Sequence, residues 1–290
     1  MPELPEVEGV VRELVPTVEG KTIERVKLSD TIFTSWGAGK QCIVKNMDPH
    51  LFEEVMQGMK INTITRRSKY IYFHIEKGEE RYLFVNHLGM TGAWFVVKSL
   101  AEIGEEKFRK HVHAIFYLTT GELLVYSDIR RFGEMRFMTK IEEHPPLLQM
   151  APEPFEDDAC DYFLNKCELP KYQNKPIKEV IMDGQVISGC GNIYATESLF
   201  KMGIHPARKT NRISRKRKIE LFEVIRAILL ESIERGGSTI SDYRNINGEA
   251  GSMQHRLKMY GKKNCPTCGT LTKSLVIGGR TSVFCPKCQH

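Results

Sequence analysis

Four cysteines near the C-terminus constrain the fold of this chain more than any other feature. Cys265 and Cys268 form CPTC, Cys285 and Cys288 form CPKC, and sixteen residues separate the two pairs. Two C-x2-C pairs at that spacing can bring four thiolates to one tetrahedral zinc ion. Four thiolates close the shell and leave no position for water, so the expected role is structural; a redox dithiol is the alternative. Between the pairs, VIGGRTSVFC carries a Gly-Gly turn and β-branched flanks, the pattern of a small hairpin. Arg280 follows that turn, where a phosphate contact fits better than base readout. Cys42, Cys160, Cys167 and Cys190 are scattered and read as ordinary buried thiols.

Charge points the same way. The net charge of +6 hides an asymmetry, because residues 207–290 hold 17 Lys/Arg against 6 Asp/Glu and leave residues 1–206 at −5. A cationic C-terminal part on a mildly acidic remainder suits a polyanion, and nucleic acid fits better than a membrane because no strong amphipathic lipid face is present. With 290 residues and 41% hydrophobic content, about two domains are expected. No apolar run approaches the ~18 residues of a bilayer span. The N-terminus carries acids where a secretion signal carries lysines, so a soluble, cytoplasmic protein is expected.

Residues 4–16 place Val7, Val10, Val11, Leu14 and Val15 at helical spacing, with Pro5 suited to the first turn. From about 21 to 140, seven or eight short β-branched and aromatic runs predict an antiparallel β-sandwich, with residues 50–58 helical inside it. The expected organisation is a catalytic sandwich domain at 1–143 with flanking helices and a proline-rich, acidic linker at 144–157. A helical domain at 158–262 and a zinc ribbon at 263–290 complete an α+β multidomain chain. Helices are expected at 158–166, 175–183, 192–202 and 214–234, the last with Ser214 as N-cap and Gly236-Gly237 as the stop.

Three further segments carry chemistry. Removal of Met1 from MPELPE would expose the secondary amine of Pro2, and an α-amine titrating near 8 is a usable nucleophile at neutral pH. Attack on a sugar carbon would give an iminium, with Glu3 and Glu6 as carboxylates for proton transfer and cation stabilisation. The same prolines could merely start a helix. GCGNIYATESLF (189–200) sets glycines and Asn192 before a helix, an arrangement that can hold a phosphate. ITRRSKYIYF, HLGMTG and SDIRRFGEMRF mix cations with aromatics; Arg130 and Phe132 would suit a wedge entering a duplex, or a solvated charge beside a core ring.

Together, PELPEVE, HLGMTG, DIRRFG, GCGNIYATESLF and the C-terminal cysteine ribbon, in this order, resemble the formamidopyrimidine-DNA glycosylase / endonuclease VIII family over essentially the whole chain. PELPE and HLGM resemble the formamidopyrimidine branch more. The resemblance implies a sandwich domain and a helix–two-turn–helix domain with zinc ribbon, binding damaged duplex DNA in the cleft between them. It implies a bifunctional glycosylase/AP lyase for oxidised purines such as 8-oxoguanine and formamidopyrimidines. Pro2 would attack C1′, Glu3 would act as general acid/base, and Glu6 would position the sugar. Lys69 would contact phosphate and the lesion pocket. His87, Asn192 and Arg280 would grip the backbone, and Met90, Arg130 and Phe132 would fill the void left by the flipped nucleotide. One structural zinc, no small-molecule cofactor, no membrane, a monomeric state and nucleoid association complete the expectation. The alternatives are an oxidised-pyrimidine preference with the same chemistry, a noncatalytic damage-recognition protein, or a zinc-ribbon transcription factor.

Several positions depart from the family pattern. Residues 34–46 look long, Ala151 stands where glycine is customary, and Gly184 replaces a longer polar residue. Residues 238–256 resemble a loop that caps an oxidised purine, with Arg244 as an added cation, and Thr91 is a variable position near the pocket.

Overall fold

The computed structural model describes residues 2–238 and 252–290; Arg244 and most of the expected capping loop lie outside the described residues. The chain divides into two compact units, Met1–Leu148 together with Gly236–Ser252, and Gln149–Arg235 together with Met253–His290. Of the segment after the long C-terminal helix, Ser238 hydrogen-bonds to Glu6 of the first unit.

The first unit opens with α1 (Leu4–Val18), whose Val7, Val10, Leu14 and Val18 are buried at the 3–4 residue spacing that makes one apolar face. It extends two residues past Pro16, and the Thr17 hydroxyl is shared between the carbonyls of Glu13 and Leu14 at 2.8 and 2.9 Å. Then follow β1 (Ile23–Leu28), α2 (Asp30–Gly37), β2 (Val44–Lys45), α3 (Pro49–Met56), β3 (Lys60–Arg67), β4 (Tyr70–Lys77), β5 (Glu80–His87) and β6 (Gly92–Val97). After the short α4 (Glu106–Arg109) come β7 (Val112–Leu118), β8 (Leu123–Asp128), β9 (Glu134–Met138) and the short α5 (Pro145–Leu148).

These strands make two sheets, ordered β1-β7-β8-β6 and β2-β9-β5-β4-β3. Pairing is antiparallel throughout except at one edge, where β2 runs parallel to β9 with Val44 opposite Met135. Residues 34–46, expected only to be long, thus supply the end of α2 and that edge strand. Inward residues of both sheets meet in an aromatic core, with Phe84 packed 4.9 Å from Phe73 and 5.5 Å from Phe116, and Trp94 5.7 Å from Phe116 between ring centroids. Trp94 is fully buried, and its indole N–H donates to Asn86 Oδ1 at 2.8 Å. The polar edge of the ring is thereby satisfied inside the core.

The second unit holds α6 (Ala159–Glu168), α7 (Pro170–Gln173), α8 (Ile177–Ile181), α9 (Asn192–Lys201) and α10 (Arg215–Glu234). Ser214 caps α10 as its sequence position predicts, its hydroxyl accepting the Arg217 N–H at 3.4 Å. Leu221, Phe222, Ile225 and Leu229 of α10 pack with Tyr194, Ala195 and Leu199 of α9 in one core. Two departures from the family pattern meet here, because the Ala151 N–H donates to the Gly184 carbonyl at 2.9 Å. Strands β10 (Lys273–Ile277) and β11 (Arg280–Phe284) form the expected hairpin around Gly278-Gly279. Among the described residues, no helix is long and apolar enough to cross a membrane.

Candidate active site and nucleic-acid interface

At the start of α1, Pro2, Glu3 and Glu6 are all buried. Glu6 stands three residues into the helix, so its carboxylate reaches back and accepts the Glu3 N–H at 2.8 Å through Oε2. Its other oxygen accepts the Ser238 N–H at 2.7 Å. Both oxygens of this buried carboxylate therefore hold backbone, and the positive end of the helix dipole supports its charge. Glu6 positions the N-terminal turn, while Glu3 and Pro2 flank it. Gly237 makes the Ser238 contact possible: its φ of +80° is in the left-handed region, and a Cβ there would come within 3.0 Å of Glu6 Cγ.

The β3–β4 turn, which carries Lys69, is fastened to the same helix. Arg66 binds Glu8 Oε2 at 2.8 Å through Nε and the Ser68 carbonyl at 3.1 Å through Nη1. Burial raises the Glu8 carboxyl, but Arg66 and Arg12 outweigh it and leave the group below its ordinary value. At the end of β5, His87 is half-buried against the Tyr70 ring, 4.8 Å between centroids, and its Nδ1 accepts the Gly89 N–H at 3.2 Å. Burial, with Lys69 nearby, depresses its pKa to about 4 against the opposing pull of Glu134 and Asp128. His87 is thus a neutral donor at pH 7.

Met90, Arg130 and Phe132 stand on two turns that touch. A Cβ on Gly89 would lie 2.5 Å from the backbone of Phe132 and Gly133, so only glycine lets HLGMTG approach DIRRFG. Buried Asp128 organises the second turn: its carboxylate accepts from Thr91 Oγ1 at 2.6 Å, Gly133 N at 2.8 Å and Arg130 N at 3.2 Å. The turn forces Arg131 to a φ of +56° and leaves Phe132 48% exposed, with the Arg130 guanidinium 4.8 Å from its ring centroid. An exposed aromatic held by a strained, hydrogen-bonded loop is presented rather than stored.

In the second unit, Asn192 opens α9 and donates through Nδ2 to the Thr281 carbonyl at 3.2 Å. This brings it next to β11 and hence to Arg280, which is exposed. Glu197 of α9 accepts the N–H groups of Lys258, Met259 and Tyr260 at 2.7–2.8 Å and anchors the approach to the ribbon. The four cysteine Sγ atoms all lie within 4.8 Å of one another, with Cys265 and Cys288 at 3.9 Å and Cys268 and Cys285 at 3.5 Å. Thiolates on a tetrahedral zinc at about 2.3 Å are about 3.8 Å apart, so this donor set fits one structural zinc. The thiols are already uneven: Thr270 pulls Cys268 down to about 6, and the hydrogen bond to Cys268 pushes Cys288 up to about 12.

Asp128, Glu197 and Gly237 escape the sequence reading. Asp128 and Glu197 lie inside segments already singled out, but a carboxylate that holds backbone amides looks no different in sequence from a solvated one. Gly237 reads only as a helix stop.

A sandwich whose N-terminal turn is buried, followed by a helical unit and a four-thiol ribbon, defines a helix–two-turn–helix zinc-ribbon protein. Three family models match along the chain: the formamidopyrimidine-DNA glycosylase N-terminal domain over residues 1–135, its H2TH domain over 150–244, and the zinc finger found in FPG and IleRS over 262–290. The formamidopyrimidine-DNA glycosylases of Bacillus subtilis and Neisseria meningitidis are 39% and 37% identical to it, each aligned over all of this chain and at least 99% of the relative. Solved structures agree. The Fpg (MutM) protein of Thermus thermophilus superposes with a TM-score of 0.82 at 32% identity, covering 99% of this chain and 98% of that one. The Lactococcus lactis Fpg in complex with abasic-site DNA superposes at 0.81 and 30%, covering 99% of each. The chain belongs to the formamidopyrimidine-DNA glycosylase family.

Proposed function

We propose that this chain is a base-excision DNA glycosylase with AP-lyase activity that removes oxidised purines from duplex DNA. The observation that carries the reading is the buried N-terminal turn, where Glu6 spends both oxygens on backbone and leaves Pro2 and Glu3 at the head of the helix. With Met1 removed, the Pro2 nitrogen attacks C1′ of the damaged nucleotide as Glu3 serves proton transfer to the departing base and opened ring. The resulting iminium acidifies C2′. Loss of that proton expels the 3′ phosphate, a second elimination expels the 5′ phosphate, and hydrolysis of the remaining iminium returns the amine.

The other residues take roles their environments suit. Lys69, on a turn braced by Arg66, contacts phosphate at the lesion. His87 donates as a neutral imidazole, and Asn192 and Arg280 hold the backbone. Met90, Arg130 and Phe132 occupy the space vacated by the extruded nucleotide. One zinc holds the ribbon that presents Arg280, and duplex DNA is the partner.

Borohydride trapping tests the reading on duplexes bearing 8-oxoguanine opposite cytosine and on a natural abasic-site duplex. A covalent adduct on both is expected, lost in Pro2→Gly, with Glu3→Gln binding DNA but not cutting it. An adduct on the abasic site alone moves the lesion preference to oxidised pyrimidines, tested with dihydrouracil. No adduct on either substrate would leave a DNA-binding protein without turnover.

A further inference from the structure

The segment joining α2 to β2 forms an open groove with the wedge loop. The groove has a volume of about 570 Å³, within the range of ligand-sized sites. Thr31, Thr34, Ser35 and Lys40 line it from the α2–β2 side, together with Arg130, Arg131 and exposed Phe132 of the wedge loop. Three cations face one acid, Asp30. Among the described residues, no carboxylate lies within ion-pair distance of Lys40, Arg130 or Arg131. Cations beside hydroxyls and an exposed ring are the chemistry of a phosphodiester contact.

The fold builds this wall rather than leaving it to chance. The parallel β2–β9 pairing, with the Met135 N–H donating to the Ile43 carbonyl at 2.8 Å, holds the α2–β2 turn beside the loop that precedes β9. The turn itself is closed by Ala38 N to Thr34 O at 3.1 Å and Lys40 N to Ser35 O at 2.9 Å. The loop's backbone at Phe132 and Gly133 abuts Gly89 of the HLGMTG turn, whereas its side chains line the groove formed with α2.

We propose that the α2–β2 segment, through Lys40 with Thr34 and Ser35, forms with Arg131 a subsite for the phosphate backbone of the strand opposite the lesion. The inference rests on the proposed DNA-lesion reading. The wedge residues Arg130 and Phe132 enter the duplex at the lesion, and a strand running past their outer side meets the groove. The subsite thereby couples insertion of the wedge to a grip on the unbroken strand, which adds affinity only when the DNA is double-stranded.

The test uses the full-length zinc-loaded protein and Lys40→Ala, with Ser35→Glu as an independent variant that places an anion in the groove. Lys40 is exposed and Ser35 partly exposed, and melting curves check folding. Affinity for a duplex containing a stable abasic analogue is measured by fluorescence anisotropy over a salt series, and trapping is measured on a single-stranded abasic oligonucleotide. Lys40→Ala is expected to weaken duplex binding roughly 3–10-fold and to lower the slope of log K against log salt by about 0.9, the signature of one lost phosphate contact. Ser35→Glu is expected to weaken it further, with single-strand trapping unchanged in both. Unaltered duplex affinity and slope, or an equal loss on the single strand, overturns the subsite. Failure of the unsubstituted protein to trap on any abasic substrate instead overturns the enzymatic reading beneath it.

Discussion

Glu6 Oε1 accepts the Ser238 N–H at 2.7 Å across 232 positions of sequence. The same carboxylate fixes the turn that carries Pro2 and Glu3, so the segment following α10 and the proposed nucleophile share one anchor. Removing the anchor should disturb both.

Gly237→Ala tests this without touching a proposed reacting group. The added Cβ meets Glu6 at 3.0 Å in a left-handed backbone conformation. The expected cost is about 1–3 kcal/mol of stability in urea titration, with a parallel fall in borohydride trapping. Unchanged stability and trapping would show that the Ser238 contact anchors nothing.

Asp128→Asn should loosen the wedge loop. One carboxylate serves two backbone amides and the Thr91 hydroxyl, and an amide cannot accept from all three. A destabilisation of about 2–4 kcal/mol is expected, with excision from duplex DNA reduced more than trapping on a single-stranded abasic site. An equal loss on both substrates would argue that the loop has no wedge role.

The depressed pKa of His87 sets a pH signature. The unfolded chain takes up a proton near pH 6.5 while the folded His87 stays neutral down to about pH 4. Its contribution to stability is therefore present above pH 6.5 and is lost as pH falls through 6.5 to 4. His87→Asn should flatten the stability slope in that window by close to one proton, measured by urea titration at several pH values. An unaltered slope would place the titration elsewhere.

Zinc removal should unfold the ribbon, because a two-stranded hairpin with little apolar burial beyond Ile277 and Phe284 cannot stand alone. One zinc per chain is expected by elemental analysis. Strong chelation or Cys268→Ser should cut duplex affinity at least about 10-fold, since Arg280 loses its platform. A chelated, metal-free chain that binds duplex DNA normally would count against the structural role.

Periodicity and spacing made much of this protein legible. The 3–4 residue spacing in α1, the alternation in the sandwich strands, the Ser214 cap and the C-x2-C pairs each encode their structure locally, within one or two turns of chain. The ordered motifs likewise pointed to the family. What tertiary structure alone decided is which polar side chains work on backbone and which face solvent. Glu6, Asp128 and Glu197 look like any surface acid in sequence, because each also holds a partner 37 to 232 positions away. The parallel β2–β9 edge and the groove beside Arg131 are invisible for the same reason: a two-residue strand carries no periodicity, and its register comes from packing against strands distant in sequence.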